Sequence, residues 1–265
     1  MGLATAKIVG RDHAVVLCDV RQDRLAAAAT TLQDLGMAAT VVDCDVTDRR
    51  AVADLLGTAN NLGTVVSVIH TAGVSPSMGA ADYVMRTNAV GTVNVNEEFF
   101  AVAEDGAVIV NVASMAAHML PAEIVPAEQF PQALDDTDAF MDAMLAACSI
   151  APEEARSGLA YAVSKTFVKW YSQSQAERFN ARGLRIVSVS PRSIDTEMGR
   201  LEEQAGAGAM VADAAVPRWG KPEEMAELLA FCASERAGYL TGTDILNDGG
   251  VIASMTERAR VAAGG

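Results

Sequence analysis

Tyr161-Ala-Val-Ser-Lys165 sets a phenol and an ammonium four residues apart, on one side of a helix. An unperturbed tyrosine titrates near ~10 and handles protons poorly at neutral pH, but a nearby positive charge favours the phenolate and lowers that value. Such a tyrosine can work as a general acid and base. A half-buried tyrosine beside a solvated lysine has the same spacing, so the pair gains meaning only from its company. Ser114 follows the apolar run Val108-Ile-Val-Asn-Val-Ala, where a strand end would bring its hydroxyl to a sheet edge. A serine there also serves as an ordinary cap. Asn88 sits inside a helical stretch, a poor place for asparagine, so either a local bend or a functional hydrogen bond accounts for it.

The elements that would position these residues alternate along the chain. Short apolar runs at Ala14–Cys18, Ala39–Val42, Val65–Ile69, Ala107–Val112, Arg185–Val189 and Thr243–Leu246 read as strands. Between them, Asp23–Leu35, Asp48–Ala59, Ala80–Ala103, Ala160–Asn180 and Pro222–Ala233 carry a helical period. Strands apolar on both faces that alternate with helices imply an α/β fold, a doubly wound parallel (Rossmann-like) sheet in a single domain. The irregular region Met115–Gly158, with its amphipathic segment Asp135–Ile150, reads as an insertion. The small-residue run Ala205–Met210 suits a surface loop or a mobile lid.

Composition narrows the partners. With 265 residues and 51% hydrophobic content the chain can build a sizeable core, and a net charge of −14 disfavours nucleic acid and anionic membrane surfaces. No apolar run is long enough to span a bilayer, and the first residues lack a signal-peptide pattern, so a cytoplasmic protein with a small-molecule substrate is expected. Cys18, Cys44, Cys148 and Cys232 are far apart in sequence and read as reduced packing residues. His13, His70 and His118 form no ligand cluster, and no metal is expected; His118, one turn past Ser114, either borders a pocket or is a polar loop residue.

In a doubly wound sheet the ligand lies beyond the carboxyl ends of the strands. Asp19 ends the first apolar run, 17 positions after Gly2, where a dinucleotide fold places the acid that holds the adenosine ribose. A carboxylate there repels a 2′-phosphate and favours NAD over NADP, although Arg21 nearby can receive such a phosphate. Asp19 can equally be a turn residue. Asp45 and Val46 follow the second run and can flank an adenine. After the third run, Ala72 and Gly73 are small enough to let a cofactor approach the backbone.

Taken in order, Thr71-Ala72-Gly73, Asn88 in Arg-Thr-Asn-Ala-Val-Gly, Ser114, Tyr161-x-x-x-Lys165, Pro191 with Thr196, and Asp248-Gly-Gly250 resemble the short-chain dehydrogenase/reductase family over nearly the whole chain. The resemblance implies that Tyr161 exchanges the proton with the substrate oxygen and that Lys165 lowers its pKa while holding the nicotinamide ribose. Ser114 would bind the carbonyl or hydroxyl, and Asn88 would hold a water in the proton relay. Gly2, Asp19, Asp45, Val46, Ala72, Gly73, Tyr161, Lys165, Pro191 and Thr196 would then contact the cofactor.

Three departures stand out. The family's Pro-Gly is Pro191-Arg192 here, which sets a long side chain beside the expected nicotinamide pocket. The opening Met1-Gly2-Leu aligns with the end of the family's glycine-rich turn. The sequence therefore leads us to expect a truncated start, unpaired neighbours of the family's first strand, and weak cofactor binding by the form beginning at Met1. Ser114 and Tyr161 are 47 positions apart, a spacing similar to that of bacterial 3α-hydroxysteroid dehydrogenase/carbonyl reductases. By that analogy the chain forms a homo-oligomer, a dimer or tetramer, with Asp135–Ile150 in an interface.

The function expected is NAD-dependent interconversion of a secondary alcohol and a ketone. Met115, Met119, Met198 and Met210 either border a pocket for a bulky, apolar, steroid-like substrate or are ordinary core filler. A 3-oxoacyl carrier-protein reductase is the alternative within the same class. A non-catalytic binding or interaction protein on this fold is the alternative outside it.

Overall fold

A computed structural model describes residues 1–204, 209–212 and 214–264. The chain runs α1 (Gly2–Val9), β1 (Val15–Asp19), α2 (Gln22–Asp34), β2 (Ala39–Asp43), α3 (Arg49–Leu62) and β3 (Ser67–His70). It continues through α4 (Ala81–Met85), α5 (Gly91–Val102), β4 (Val108–Val112), α6 (Thr137–Cys148), α7 (Arg156–Ser174) and α8 (Ala176–Asn180). The last part holds β5 (Arg185–Pro191), α9 (Glu197–Glu202), α10 (Ala209–Ala212), α11 (Pro222–Ala233), β6 (Thr243–Asn247) and α12 (Val251–Gly264). All six expected strands form, and every pair is parallel.

Two-residue periodicity divides the core. Ile109 and Ile186 face a cluster built with α3, α5 and α7, whereas Val108, Val110, Val112, Val187 and Val189 face α11 through Met225 and Leu229. Helices thus cover both sides of the sheet. Their starts follow from local chemistry: Asp48 caps α3 by accepting from Arg50 N and Ala51 N, and Pro222 occupies the first turn of α11, where a missing N–H costs nothing.

The sheet is divided: β3-β4-β5-β6 form one ladder and β1-β2 another. Among the described residues, β1 and β3 each pair on one side only. The effect shows in burial, since β4 and β5 are buried throughout while β1 and β3 are mostly half-buried.

Several sequence expectations change. The helix expected over Ala80–Ala103 is interrupted by a π-turn at Arg86–Val90, and that over Ala160–Asn180 breaks at Gln175. The expected helix of the insertion forms as α6, but its apolar face turns inward. Phe140, Met141 and Met144 are buried, and Phe140 lies 4.9 Å from Phe167 between ring centroids. The apolar face of the segment expected at a subunit contact is therefore covered within the chain. Cys18 and Cys44 also meet: parallel pairing of β1 with β2 brings them within hydrogen-bonding reach, which their sequence separation concealed. Residues 205–208 of the small-residue run lie outside the described residues, as does the side chain of Met210.

Candidate active site

The carboxyl ends of β3, β4 and β5 converge with α7 and the π-turn. Asn88 sits in that π-turn and is 1% exposed. Its Oδ1 accepts from Val74 N at 2.8 Å, and its Nδ2 donates to Val74 O at 3.0 Å and to Ser164 Oγ at 3.2 Å. The helix is therefore distorted at this asparagine, as one of the two explanations requires, and its amide ties the π-turn to the Val74 backbone and to Ser164. Ser164 in turn donates to Tyr161 O at 2.8 Å, which ties the asparagine to the first half of α7.

Ser114 caps the short turn after β4, with Oγ accepting from Ala116 N at 3.2 Å. Its hydroxyl also acts on the Tyr161 hydroxyl, in the sense that favours the phenolate. Burial is the larger influence and pushes the phenol up; the charge of Glu202 adds to that, and the Arg192 guanidinium opposes it. Lys165 is buried, donates from Nζ to Val112 O at 2.9 Å, and stands 5.9 Å from the centre of the Tyr161 ring. Burial brings its ammonium down to about 8. Arg192 is thus a second cation acting on the phenol, while Lys165 is anchored to the β4 backbone.

Gly73 closes the cluster. A Cβ there would fall 3.1 Å from Asn88 Oδ1 and 3.3 Å from Lys165 Nζ, so a larger residue would crowd both side chains. Ala72 is partly buried against the core. Gly2 abuts the same loop, where an added Cβ would lie 2.7 Å from Thr71 Oγ1.

The other expected cofactor residues lie around this centre. Asp19 Oδ1 accepts from Arg21 N at 2.9 Å, which makes it a turn residue as well as a candidate ligand, with Oδ2 making no hydrogen bond among the described residues. Arg21 is paired with Asp23 at 2.5 Å and approaches Glu197 at 3.8 Å. Asp45 Oδ1 accepts from Thr47 N and Thr47 Oγ1. Val46 is buried, and its carbonyl accepts from Asn94 Nδ2 at 2.9 Å. Pro191 ends β5, and Thr196 caps α9 by accepting from Gly199 N at 3.1 Å. Carboxylate, glycine and lysine therefore fit a nicotinamide dinucleotide at both of its ends.

Sequence reading missed several positioning residues. Asn94 appeared only as part of a helix. His118 leaves the loop role behind: Nε2 bonds Asp244 Oδ2 at 2.8 Å, and Ser188 and Ser190 donate to Asp244 Oδ1. Met115 is fully buried core, which removes it from any adaptable pocket wall, and Met119 is 40% exposed.

His70 was also missed. It is buried at the end of β3, with Nε2 3.2 Å from Thr92 Oγ1, and Thr92 Oγ1 donates to Asn88 O at 2.7 Å. The threonine proton goes to the carbonyl, so His70 must be the donor to threonine and carries its proton on Nε2. Burial, reinforced by the Lys165 charge, holds the imidazole neutral and lowers it to about 3. A depressed folded pKa means that the unfolded chain takes up a proton first as pH falls below the usual ~6.5. His70 therefore destabilises the fold progressively from that pH down to about 3. Between pH 7 and 5 we expect the wild type to lose about 2 kcal/mol more than His70→Gln in parallel urea titrations. Equal losses would count against a buried neutral imidazole.

Comparison with known proteins agrees with this geometry. The family profile described as "short chain dehydrogenase" matches residues 1–126, and the one described as "Enoyl-(Acyl carrier protein) reductase" matches residues 143–252. The stretch between the two matches falls in the helical insertion. The short-chain dehydrogenase/reductase bsc3 of Alternaria brassicicola is 30% identical, over 97% of this chain and 93% of its own length. Among solved structures, the short-chain dehydrogenase/reductase from Serratia marcescens BCRC 10948 superposes with a TM-score of 0.74 at 23% identity, covering 94% of this chain and 92% of that one. A short chain dehydrogenase from Burkholderia cenocepacia J2315 in complex with NADP gives 0.74 at 22% identity, covering 95% and 93%. These structural likenesses concern the fold.

Proposed function

The chain belongs to the short-chain dehydrogenase/reductase family, and from that premise we propose that it interconverts a secondary alcohol and a ketone with NAD. The observation that carries this reading is the interacting pair of hydroxyls, Ser114 and Tyr161, flanked by Lys165 and Asn88. In reduction, Ser114 orients the carbonyl oxygen and Tyr161 gives that oxygen its proton; in alcohol oxidation the phenolate takes the proton back. The dinucleotide, when bound, supplies or accepts the hydride. Lys165, with its ammonium near 8, can restore the tyrosine proton at neutral pH and hold the nicotinamide ribose. Asn88 holds the Val74 backbone beside Gly73 and so keeps the cofactor approach open.

Two observations support NAD over NADP. Asp19 offers a carboxylate oxygen at the adenosine end, and Arg21, the residue able to take a 2′-phosphate, is engaged with Asp23. We expect NADH to bind at least tenfold more tightly than NADPH in a fluorescence titration, and Asp19→Ala to narrow that ratio below threefold. Tighter NADPH binding by the wild type would reverse the cofactor assignment. A partial likeness to the 3-oxoacyl-[acyl-carrier-protein] reductase of Thermotoga maritima, 37% identical over 95 residues, favours a second reading, reduction of a carrier-linked acyl ketone, and turnover of an acetoacetyl thioester in the same assay separates the two.

A further inference from the structure

Arg192, the residue that departs from the family's Pro-Gly, is the unspent charge of this site. Its Nε and one terminal nitrogen, Nη2, are buried without a hydrogen-bond partner. A desolvated guanidinium left this way is costly unless something accepts from it. It lines a cavity of about 210 Å³ between the end of β5, the start of α11 and the end of β6. That volume is below the ~300–1,000 Å³ of sites enclosing a whole ligand, so it suits one end of a molecule.

The other charges around this cavity are already committed. Arg218 is held by Glu224 through two bonds, at 2.9 and 2.6 Å, and Glu224 also accepts from Lys221 N. Asp248 receives Gly250 N and Ile252 N, one on each carboxylate oxygen, at 2.8 Å. Arg192 thus has no carboxylate to pair with among the described residues, although Asp248 lines the same space.

The backbone around this arginine is also tied down. Pro191 precedes it in β5, and Ser193 follows with φ 38, the one non-glycine residue at positive φ among those described. That strained backbone is pinned to a neighbouring segment by Gly220 N donating to Ser193 O at 3.0 Å and Asp195 N donating to Gly220 O at 2.8 Å. The backbone that carries Arg192 is therefore fixed, and its planar guanidinium fork suits two-point recognition of a planar oxyanion.

We propose that Arg192 binds a carboxylate carried by the substrate, so that the enzyme's natural ligands are oxo acids and their hydroxy acids rather than neutral ketones. The inference rests on the oxidoreductase reading above, because it places the carboxylate next to the Tyr161 reaction centre. It replaces the steroid-like expectation with a shorter, charged substrate class.

The test uses 2-, 3- and 4-oxopentanoate, each paired with its carboxamide, because the spacing from ketone to carboxylate is the unknown. Reduction rates with NADH, calorimetric affinities for each acid and amide, and the affinity for NADH are measured in the wild type, Arg192→Leu and Arg192→Lys. We expect at least one acid to exceed its amide by 30-fold or more in kcat/KM or affinity. That preference should fall to within about threefold in Arg192→Leu and be intermediate in Arg192→Lys, which keeps the charge without the fork. No acid preferred over its amide in the wild type, or an undiminished preference in both variants, overturns the proposal. A loss confined to NADH affinity also overturns it and assigns the arginine to the cofactor. Arginine-dependent acid binding without turnover of any ligand leaves this inference standing and sinks the oxidoreductase reading instead.

Discussion

Replacing Tyr161 by Phe is expected to lower kcat/KM by about 10³-fold in both directions, within the ~10²–10⁴ range for loss of a general acid/base. The substitution removes one oxygen and keeps the ring, so packing on α7 is little changed and the melting temperature should move by no more than about 2 °C. The hydroxyl is the atom on which the Ser114 side chain acts. Burial pushes the phenol up, so protonated tyrosine is the form at hand for ketone reduction, while alcohol oxidation should climb as pH rises. Retention of more than a tenth of wild-type activity would remove Tyr161 from the proton path.

A second large effect runs in opposite directions for stability and activity. Lys165→Met should abolish turnover and yet raise the melting temperature at pH 7 by about 2–5 °C. The reason is the buried ammonium, which falls from its ordinary 10.5 to about 8 because the protein disfavours its charge. At pH 7 both folded and unfolded lysines are protonated, so the full penalty of about 3 kcal/mol is present. Above about 8 the folded group loses its proton while the unfolded one keeps its own up to 10.5, and the penalty fades over that interval. Methionine removes the penalty but leaves the Val112 carbonyl without its 2.9 Å donor, a loss of about 1–3 kcal/mol that sets the modest size of the net gain. Calorimetry at pH 7 and pH 10 checks both parts: the advantage of the variant should shrink at the higher pH. A variant less stable than the wild type at pH 7 would show that the lysine is welcome where it lies.

The expected fold was legible because burial imposes periodicity on a strand. Val108-Ile109-Val110 is apolar on both faces, and those faces meet separate helical layers, so one short run implied a covered parallel sheet. The amphipathic segment in the insertion was equally visible, but its partner was not. An apolar helix face says that something covers it, and here Phe130 and Phe167 do so within the chain. Likewise, Cys18 and Cys44 are neighbours only through strand register, which no local signal encodes.

The sequence by itself determined the family, the six strands and the residues able to move a proton, because these depend on residue type and short spacings along one helix or one strand end. Tertiary structure decided which charge acts on which atom. Tyr161 and Lys165 share a helix face, yet the lysine is drawn to a β4 carbonyl, while Arg192, 31 positions beyond the tyrosine, supplies a second charge that acts on the phenol. His70 and Thr92 came together in the same way, from a strand end and a helix, to hold the Asn88 carbonyl. Electrostatic and hydrogen-bonding partners are chosen by distance in space and by loss of water, and both are properties of the packed chain.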